Sequence, residues 1–207
     1  MELPTLAELE DASRVVYAAM PPTPQYPWPL LAARTGARVW LKHENHTPVG
    51  AFKVRGGLVY LDWLRRARPG VPGVVAATRG NHGQSVGFAA RRHGLRAVVV
   101  VPRGNSPEKN AAMRGLGVEL REHGQDFQEA LEHARRLAAA EGLWPMPSFD
   151  PLLVRGVGTW ALELMRAVPD LERLYVPIGL GSGICGALAA REALSRRLEV
   201  VGVVSAG

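Results

Sequence analysis

Apolar residues along this chain come in two kinds of run, and their alternation sets the predicted architecture. Unbroken apolar stretches at 74–77, 97–101 and 174–178 read as strands, the first of them buried as in a parallel sheet. Between them lie longer mixed stretches with apolar residues on one side, the pattern of amphipathic helices. In the first of these, 2–20, Leu6, Leu9, Val15 and Val16 share a side, and Thr5 or Pro4 stands near the helix start. Further helices are predicted at 30–35, 54–67, from the loop 78–83 through 92, and at 107–116, 126–141, 159–168 and 187–196. Strands are predicted at 39–42, 118–121 and 199–204 as well. Gly36, Gly94 and Gly142 close helices, and Pro69 with Gly70 breaks another.

Five prolines between Pro21 and Pro29 enforce a stiff, extended passage. Tyr26, Trp28 and Leu30, interleaved with them, mark it as a segment lying along a core and not a linker. A loop rich in Pro and Trp at 144–151 leads to the 159–168 helix. Strand-helix alternation of this sort predicts an α/β protein with parallel sheet and right-handed crossovers. No internal repeat or low-complexity segment interrupts it.

Composition narrows the class. With 207 residues, 47% hydrophobic and 21% charged, the chain has enough length and apolar content for a buried core. No apolar run reaches membrane-spanning length, and the acidic, amphipathic start is unlike a secretory signal, so the expected compartment is the cytoplasm, without membrane. A single cysteine, Cys185, excludes an internal disulfide. The net charge of +6 raises nucleic acid as a partner. Its arginines, however, fall in pairs (Arg65/Arg66, Arg91/Arg92, Arg135/Arg136, Arg196/Arg197) near predicted helix ends, where cations complement the dipole. No basic stripe interleaved with aromatics occurs, so nucleic acid is set aside.

Positive charge is written almost entirely as arginine; the three lysines are Lys42, Lys53 and Lys109. Arginine stays protonated in proteins, whereas a lysine amine can lose its proton and attack a carbonyl. Lys53 follows apolar Phe52 and flexible Gly50, within HENHTPVGAFKVRGG at 43–57. That setting suits an amine that is partly desolvated yet reachable. Taken alone, the same lysine reads as a surface residue.

Two loops add to it. At 176–186 a strand runs into Gly179, Leu180, Gly181, Ser182 and Gly183 and then a helix, an arrangement that offers backbone N–H groups and a helix N-terminus to a phosphate. A tight turn without ligand fits the same residues. The literal G-x-G-x-x-G at Gly181, Gly183 and Gly186 raises a dinucleotide, but the strand ending at Val204 offers no carboxylate for a ribose, and a phosphate monoester fits better. The second loop, Thr78, Arg79, Gly80, Asn81, His82, Gly83, Gln84 and Ser85, gathers hydroxyl, amide and imidazole beside a helix start. It suits a carboxylate and a phenolic oxygen, or equally a helix cap. His43 and His46 lack matching ligands nearby, and no metal is expected.

In this order, TPVGAFKVRGG, TRGNHGQS and GLGSGICG resemble the threonine/serine dehydratase branch of the fold-type II pyridoxal-phosphate enzymes, as do VPRGNSPEKNAAMRGLGVEL and PSFDPLLVRGVGTWALEL. The likeness runs from about Pro24 to Val204. It implies two parallel-sheet α/β domains: 1–72 and 148–207 in a large domain incomplete at its C-terminus, and 73–147 in a small mobile one. It implies pyridoxal 5'-phosphate as cofactor, held as a Schiff base by Lys53, the catalytic residue. Phe52 would lie against the ring, Asn81 would bond its phenolic oxygen, and Gly179, Leu180, Gly181, Ser182 and Gly183 would cradle its phosphate. Thr78, Arg79, Gly80, Asn81 and His82 would receive the substrate carboxylate. The implied reaction deaminates L-threonine or L-serine to a 2-oxo acid, in a homodimer.

Departures from the family pattern sharpen these expectations. Arg79 replaces a serine that related racemases use on the opposite face of the substrate, so racemisation is not expected. Leu180 and Ser182 interrupt the usual glycine run, and Val204 and Ser205 stand where many members begin a metal site with a carboxylate. The family ordinarily continues for roughly another third, which carries the group facing the pyridine nitrogen. A catalytically impaired truncated relative and a β-replacement enzyme of the cysteine-synthase kind are the alternatives.

Overall fold

The structure, a computed structural model, describes residues 2–206; the outermost positions of the predicted large domain, 1 and 207, lie outside the described residues. Helix α1 (Leu6–Tyr17) starts where Thr5 and Glu8 cap each other reciprocally, satisfying two otherwise orphan N–H groups. It is shorter than the predicted 2–20. The proline passage contains a strand, β1 (Gln25–Pro27), paired antiparallel with β2 (Trp40–Lys42) around the short helix α2 (Pro29–Thr35). Sequence pattern did not show this pairing, because prolines lack the N–H that a strand donates and hide it from propensity.

After a 3-10 turn (Glu44–His46), α3 (Lys53–Ala67) leads into alternating strands and helices. These are β3 (Gly73–Ala77), α4 (Asn81–Arg92), β4 (Arg96–Val101), α5 (Pro107–Gly115), β5 (Glu119–Glu122), α6 (Phe127–Glu141) and β6 (Trp144–Pro145). The four strands form one parallel sheet in the order β5-β4-β3-β6. Its apolar runs divide by the two-residue period of a strand. Val74, Ala76, Val99 and Val101 face a core shared with α1, α3 and α4, while Val75, Ala77, Val98 and Val100 face Ala130 and Ala134 of α6. Both faces are covered, as the unbroken runs require.

The remaining elements are α7 (Pro151–Ala167), β7 (Arg173–Pro177), α8 (Ser182–Ala193) and β8 (Glu199–Val203), with β7 and β8 parallel in a separate two-stranded sheet. Helix α7 begins eight residues earlier than predicted, capped by Asp150 with Pro151 in its first turn. Helix α8 also begins earlier, at Ser182. Glycines inside both helices obscured their starts, since glycine has low helix propensity. Tertiary contact explains those glycines. A Cβ on Gly156 of α7 would lie 2.4 Å from the Arg55 carbonyl oxygen, and one on Gly186 of α8 would lie 2.8 Å from the Gly158 nitrogen. Helices α3, α7 and α8 therefore pack backbone against backbone, and this fixes the start of α3 relative to the start of α8.

A buried ion network strengthens the same junction. Fully buried Arg55 donates from Nε to Glu44 (2.7 Å) and from Nη1 to Glu163 (2.6 Å) and Thr159 (2.9 Å). Lys42 donates to the other oxygen of Glu163 at 2.5 Å. Two cations face two carboxylates, so the cluster is formally neutral and ties β2, the 3-10 turn, α3 and α7 together. Between β2 and β7 lies a groove of about 860 Å³ that reaches Phe52 and Gly183. No helix among the described residues is long and apolar enough to cross a membrane.

Candidate active site

The loop before α3 is closed by Thr47, whose hydroxyl accepts from the Ala51 N–H at 2.9 Å and donates to the Ala51 carbonyl at 3.0 Å. Gly50, at φ +65°, supplies the left-handed turn inside it. This small ring delivers Lys53 as the first residue of α3, half-buried. Its amine donates to the Ser182 hydroxyl at 2.6 Å and lies 5.4 Å from the centre of the Phe52 ring. Burial pushes the amine's pKa below its ordinary value, which raises the neutral, nucleophilic fraction at a given pH.

Ser182 opens α8, just after Gly181 in a left-handed conformation at φ +97°. The first N–H groups of a helix have no partner inside it and carry partial positive charge. Gly183 packs on Phe52, where a Cβ would come within 3.3 Å of the ring. Phe52, Lys53, Ser182 and Gly183 therefore form one cluster, a half-buried amine against a helix N-terminus. Gly179 and Leu180 precede it on the exposed side of the loop.

The second loop reaches the cluster through Ser85, whose hydroxyl donates to the Lys53 carbonyl at 2.7 Å. Thr78 is buried, and its hydroxyl accepts from the Gly80 N–H at 3.1 Å, shaping the turn into α4. His82, in the first turn of α4, is only 7% exposed, and its Nε2 has no hydrogen-bond partner. Burial, and then the positive charge of Lys53, lower its pKa to about 4, while the Pro147 carbonyl pulls weakly the other way. At neutral pH it is an uncharged imidazole with an unused, buried nitrogen, a costly arrangement unless a ligand engages it. Arg79 and Asn81 lie exposed at the mouth of this loop.

Two contributors were not assigned from sequence. Ser85 lies inside the loop motif but looks like an ordinary helix residue; its i,i+4 spacing from Asn81 was the available signal. Arg55 sits in the lysine motif, yet its partners Glu44 and Glu163 come from distant segments. His43 packs with Tyr26, Trp28 and His46, rings 5.6, 6.2 and 5.2 Å away, in an aromatic cluster of its own.

Residues 16–207 match the family described as pyridoxal-phosphate dependent enzyme. The chain is 36% identical over 205 residues to the biosynthetic L-threonine dehydratase of Pasteurella multocida, covering 98% of this chain and 40% of that protein. It is 35% identical over 203 residues to the L-threonine ammonia-lyase of Thermotoga maritima, covering 96% and 50%. Among solved structures, the processed form of threonine deaminase isoform 2 from Solanum lycopersicum superposes with a TM-score of 0.86 at 29% identity, covering all of this chain and 64% of the other. The chain thus spans between 40% and 64% of the length of these relatives.

Proposed function

The chain belongs to the family of pyridoxal-phosphate dependent enzymes, and on that premise we propose that it serves an ammonia-lyase that converts L-threonine or L-serine to a 2-oxo acid. The observation that carries this reading is the 2.6 Å contact between the Lys53 amine and Ser182, which joins the one half-buried lysine of the loop motif to the glycine-loop helix. Residues present here suit the cofactor: an amine with depressed pKa for its aldehyde, a helix N-terminus for its phosphate, an aromatic ring beside both, and an unpartnered imidazole nearby.

Bound pyridoxal phosphate supplies an electron sink for the bond broken at the substrate Cα. The chain's own residues do the rest under this reading. Lys53 holds the cofactor aldehyde and moves the proton at the substrate Cα, a task eased by its lowered pKa. Phe52 flanks the ring, and Asn81 bonds the phenolic oxygen. Gly179, Leu180, Gly181, Ser182 and Gly183 hold the phosphate, with Ser182 releasing its hydrogen bond to the amine. Thr78, Arg79, Gly80, Asn81 and His82 receive the substrate carboxylate. Residues 73–147, which carry the four-stranded sheet, close as a unit over the site and exclude water. The protein is further proposed to work in the cytoplasm as a homodimer, a state that light scattering on the purified protein checks.

Borohydride reduction of cofactor-loaded protein followed by peptide mapping tests the central assignment. A label on Lys53, with 2-oxobutyrate or pyruvate formed from the matching amino acid, is the expected result. A label elsewhere defeats it.

A further inference from the structure

Deepening the lyase reading just given, and resting on it, we infer that Ser85 is a positioning residue. Its hydroxyl fixes the backbone of Lys53 and, through it, the aim of the amine. Serine and threonine inside a helix ordinarily point to solvent or bond back within their own helix. Ser13 does the latter, donating to the Leu9 carbonyl at 2.8 Å, and Thr159 donates to the Gly156 carbonyl at 2.8 Å. Ser85, fully buried in the second turn of α4, does neither. It donates across to another helix, to the Lys53 carbonyl at 2.7 Å.

The contact is built from both sides. A Cβ on Gly57 of α3 would lie 2.2 Å from the Ser85 Oγ and 3.1 Å from its carbonyl oxygen, so the hydroxyl reaches Lys53 through space that only glycine leaves open. A carbonyl has two lone pairs, and Lys53 can accept from Ser85 as well as from its own helix. Lys53 is thereby held at both ends, its carbonyl by Ser85 of α4 and its amine by Ser182 of α8. The two helices follow strands of different sheets, α4 after β3 and α8 after β7. His82, one turn before Ser85 on the same face, lies close enough to Lys53 for its pKa to feel the charge of the amine.

This grip matters because the amine sits at the end of a flexible four-carbon stem. A small rotation of the Lys53 backbone is magnified along that stem, and misplacing a reacting group by about 1 Å costs up to about 10²-fold in rate. Asn81 and His82, proposed to receive the substrate carboxylate, stand one helical turn before Ser85. One rigid turn of α4 therefore registers the seat of the substrate against the lysine that acts on it.

The test measures two rates in the parent, Ser85→Ala, Ser85→Cys, Gly57→Ala and Ser13→Ala. One is the rate at which cofactor-free protein takes up pyridoxal phosphate on Lys53, followed by absorbance; the other is kcat, with KM, for L-threonine or L-serine. Ser85→Ala is expected to lower the uptake rate and kcat by about tenfold or more, with KM moved by less than about threefold. Cysteine keeps the shape but donates weakly, so Ser85→Cys is expected to fall between the two. Gly57→Ala, whose methyl displaces the hydroxyl, is expected to match Ser85→Ala, and the double substitution to lose no more than either alone. Ser13→Ala removes another buried hydroxyl bond, on α1 and away from Lys53, and is expected to lower the urea midpoint while both rates stay within about twofold. Rates in Ser85→Ala within about twofold of the parent, or a loss equalled in Ser13→Ala, overturn this proposal alone when the parent carries the borohydride label on Lys53. Where Ser85→Ala does not fold, Ser85→Cys decides by the same limits, and where the labelled parent shows no turnover, the uptake rate decides. A parent with neither the Lys53 label nor turnover overturns the lyase reading, and this proposal with it.

Discussion

Lys53 and Ser182 stand 129 positions apart in the chain, and the amine of one donates to the hydroxyl of the other at 2.6 Å. The contact needs α3, α7 and α8 to approach backbone to backbone at Gly156 and Gly186. It also needs the Arg55 network to hold the first turn of α3. Each of these requirements gives a measurable consequence.

Lys53→Ala removes the amine proposed to hold the cofactor and to move a proton. Loss of proton transfer by itself lowers kcat by about 10²–10⁴-fold. The absorption band of lysine-bound cofactor disappears with it. A spectrum taken after adding pyridoxal phosphate, paired with a 2-oxo acid assay, checks both. An unchanged band rules out Lys53 as the attachment point.

Ser182→Ala deletes a hydrogen bond made by a cationic, half-buried amine. Such bonds contribute about 1.5–3 kcal/mol, and solvent access at Lys53 puts the expected loss toward the lower figure. Urea unfolding of the cofactor-free protein reads it. Titration with pyridoxal phosphate is expected to show weaker binding, because Ser182 also opens the end of α8 proposed to hold the phosphate.

Gly186→Ala drives a methyl group to within 2.8 Å of the Gly158 backbone nitrogen, with no flexible side chain to yield. Overpacking of this kind costs about 1–3 kcal/mol. Because α8 must back away from α7, the Lys53–Ser182 contact lengthens too. Denaturant unfolding and cofactor affinity are therefore expected to fall together. Stability lost with affinity intact contradicts the coupling.

Glu163→Gln leaves Arg55 and Lys42 to share Glu44, stranding positive charge in the interior. Breaking one partner of a buried pair costs about 3–5 kcal/mol. Burial pushes the Glu163 carboxyl upward, but the hydrogen bonds and charges of Arg55 and Lys42 outweigh it and hold its pKa below 4.5. A depressed carboxyl stabilises the fold above its unfolded pKa, and that contribution is lost as pH falls through the folded value. Unfolding measured below pH 4.5 is expected to steepen in the parent and to flatten in Glu163→Gln.

His82 acts in a higher window. Its pKa drops from 6.5 to about 4 on folding, so between those values the unfolded chain takes up a proton that the folded one refuses. Stability is full above pH 6.5 and declines as pH falls toward 4, by an upper bound of about 3 kcal/mol at 1.36 kcal/mol per pH unit. Urea midpoints at pH 7 and pH 4.5 are expected to differ in the parent, and the His82 part of that difference to be absent in His82→Gln.

What the chain determined by itself is local. Unbroken apolar runs at 74–77, 97–101 and 174–178 read as strands, and the structure has strands at each, the first two buried and the third exposed on alternate residues. A scarce lysine beside glycine and phenylalanine, and two polar loops between strand and helix, stood out in the chain as the candidate site residues. Tertiary structure decided the rest, because the quantities involved are distances between segments far apart in sequence. Propensity counts Gly156, Gly158 and Gly186 against a helix, and only the approach of a second backbone shows why they are there. Nothing near Arg55 in the chain names Glu163 as its partner, and nothing near Gly80 announces that Lys109 lies over it. Residue type sets what a group can do; which groups meet is settled by how closely the helices can pack.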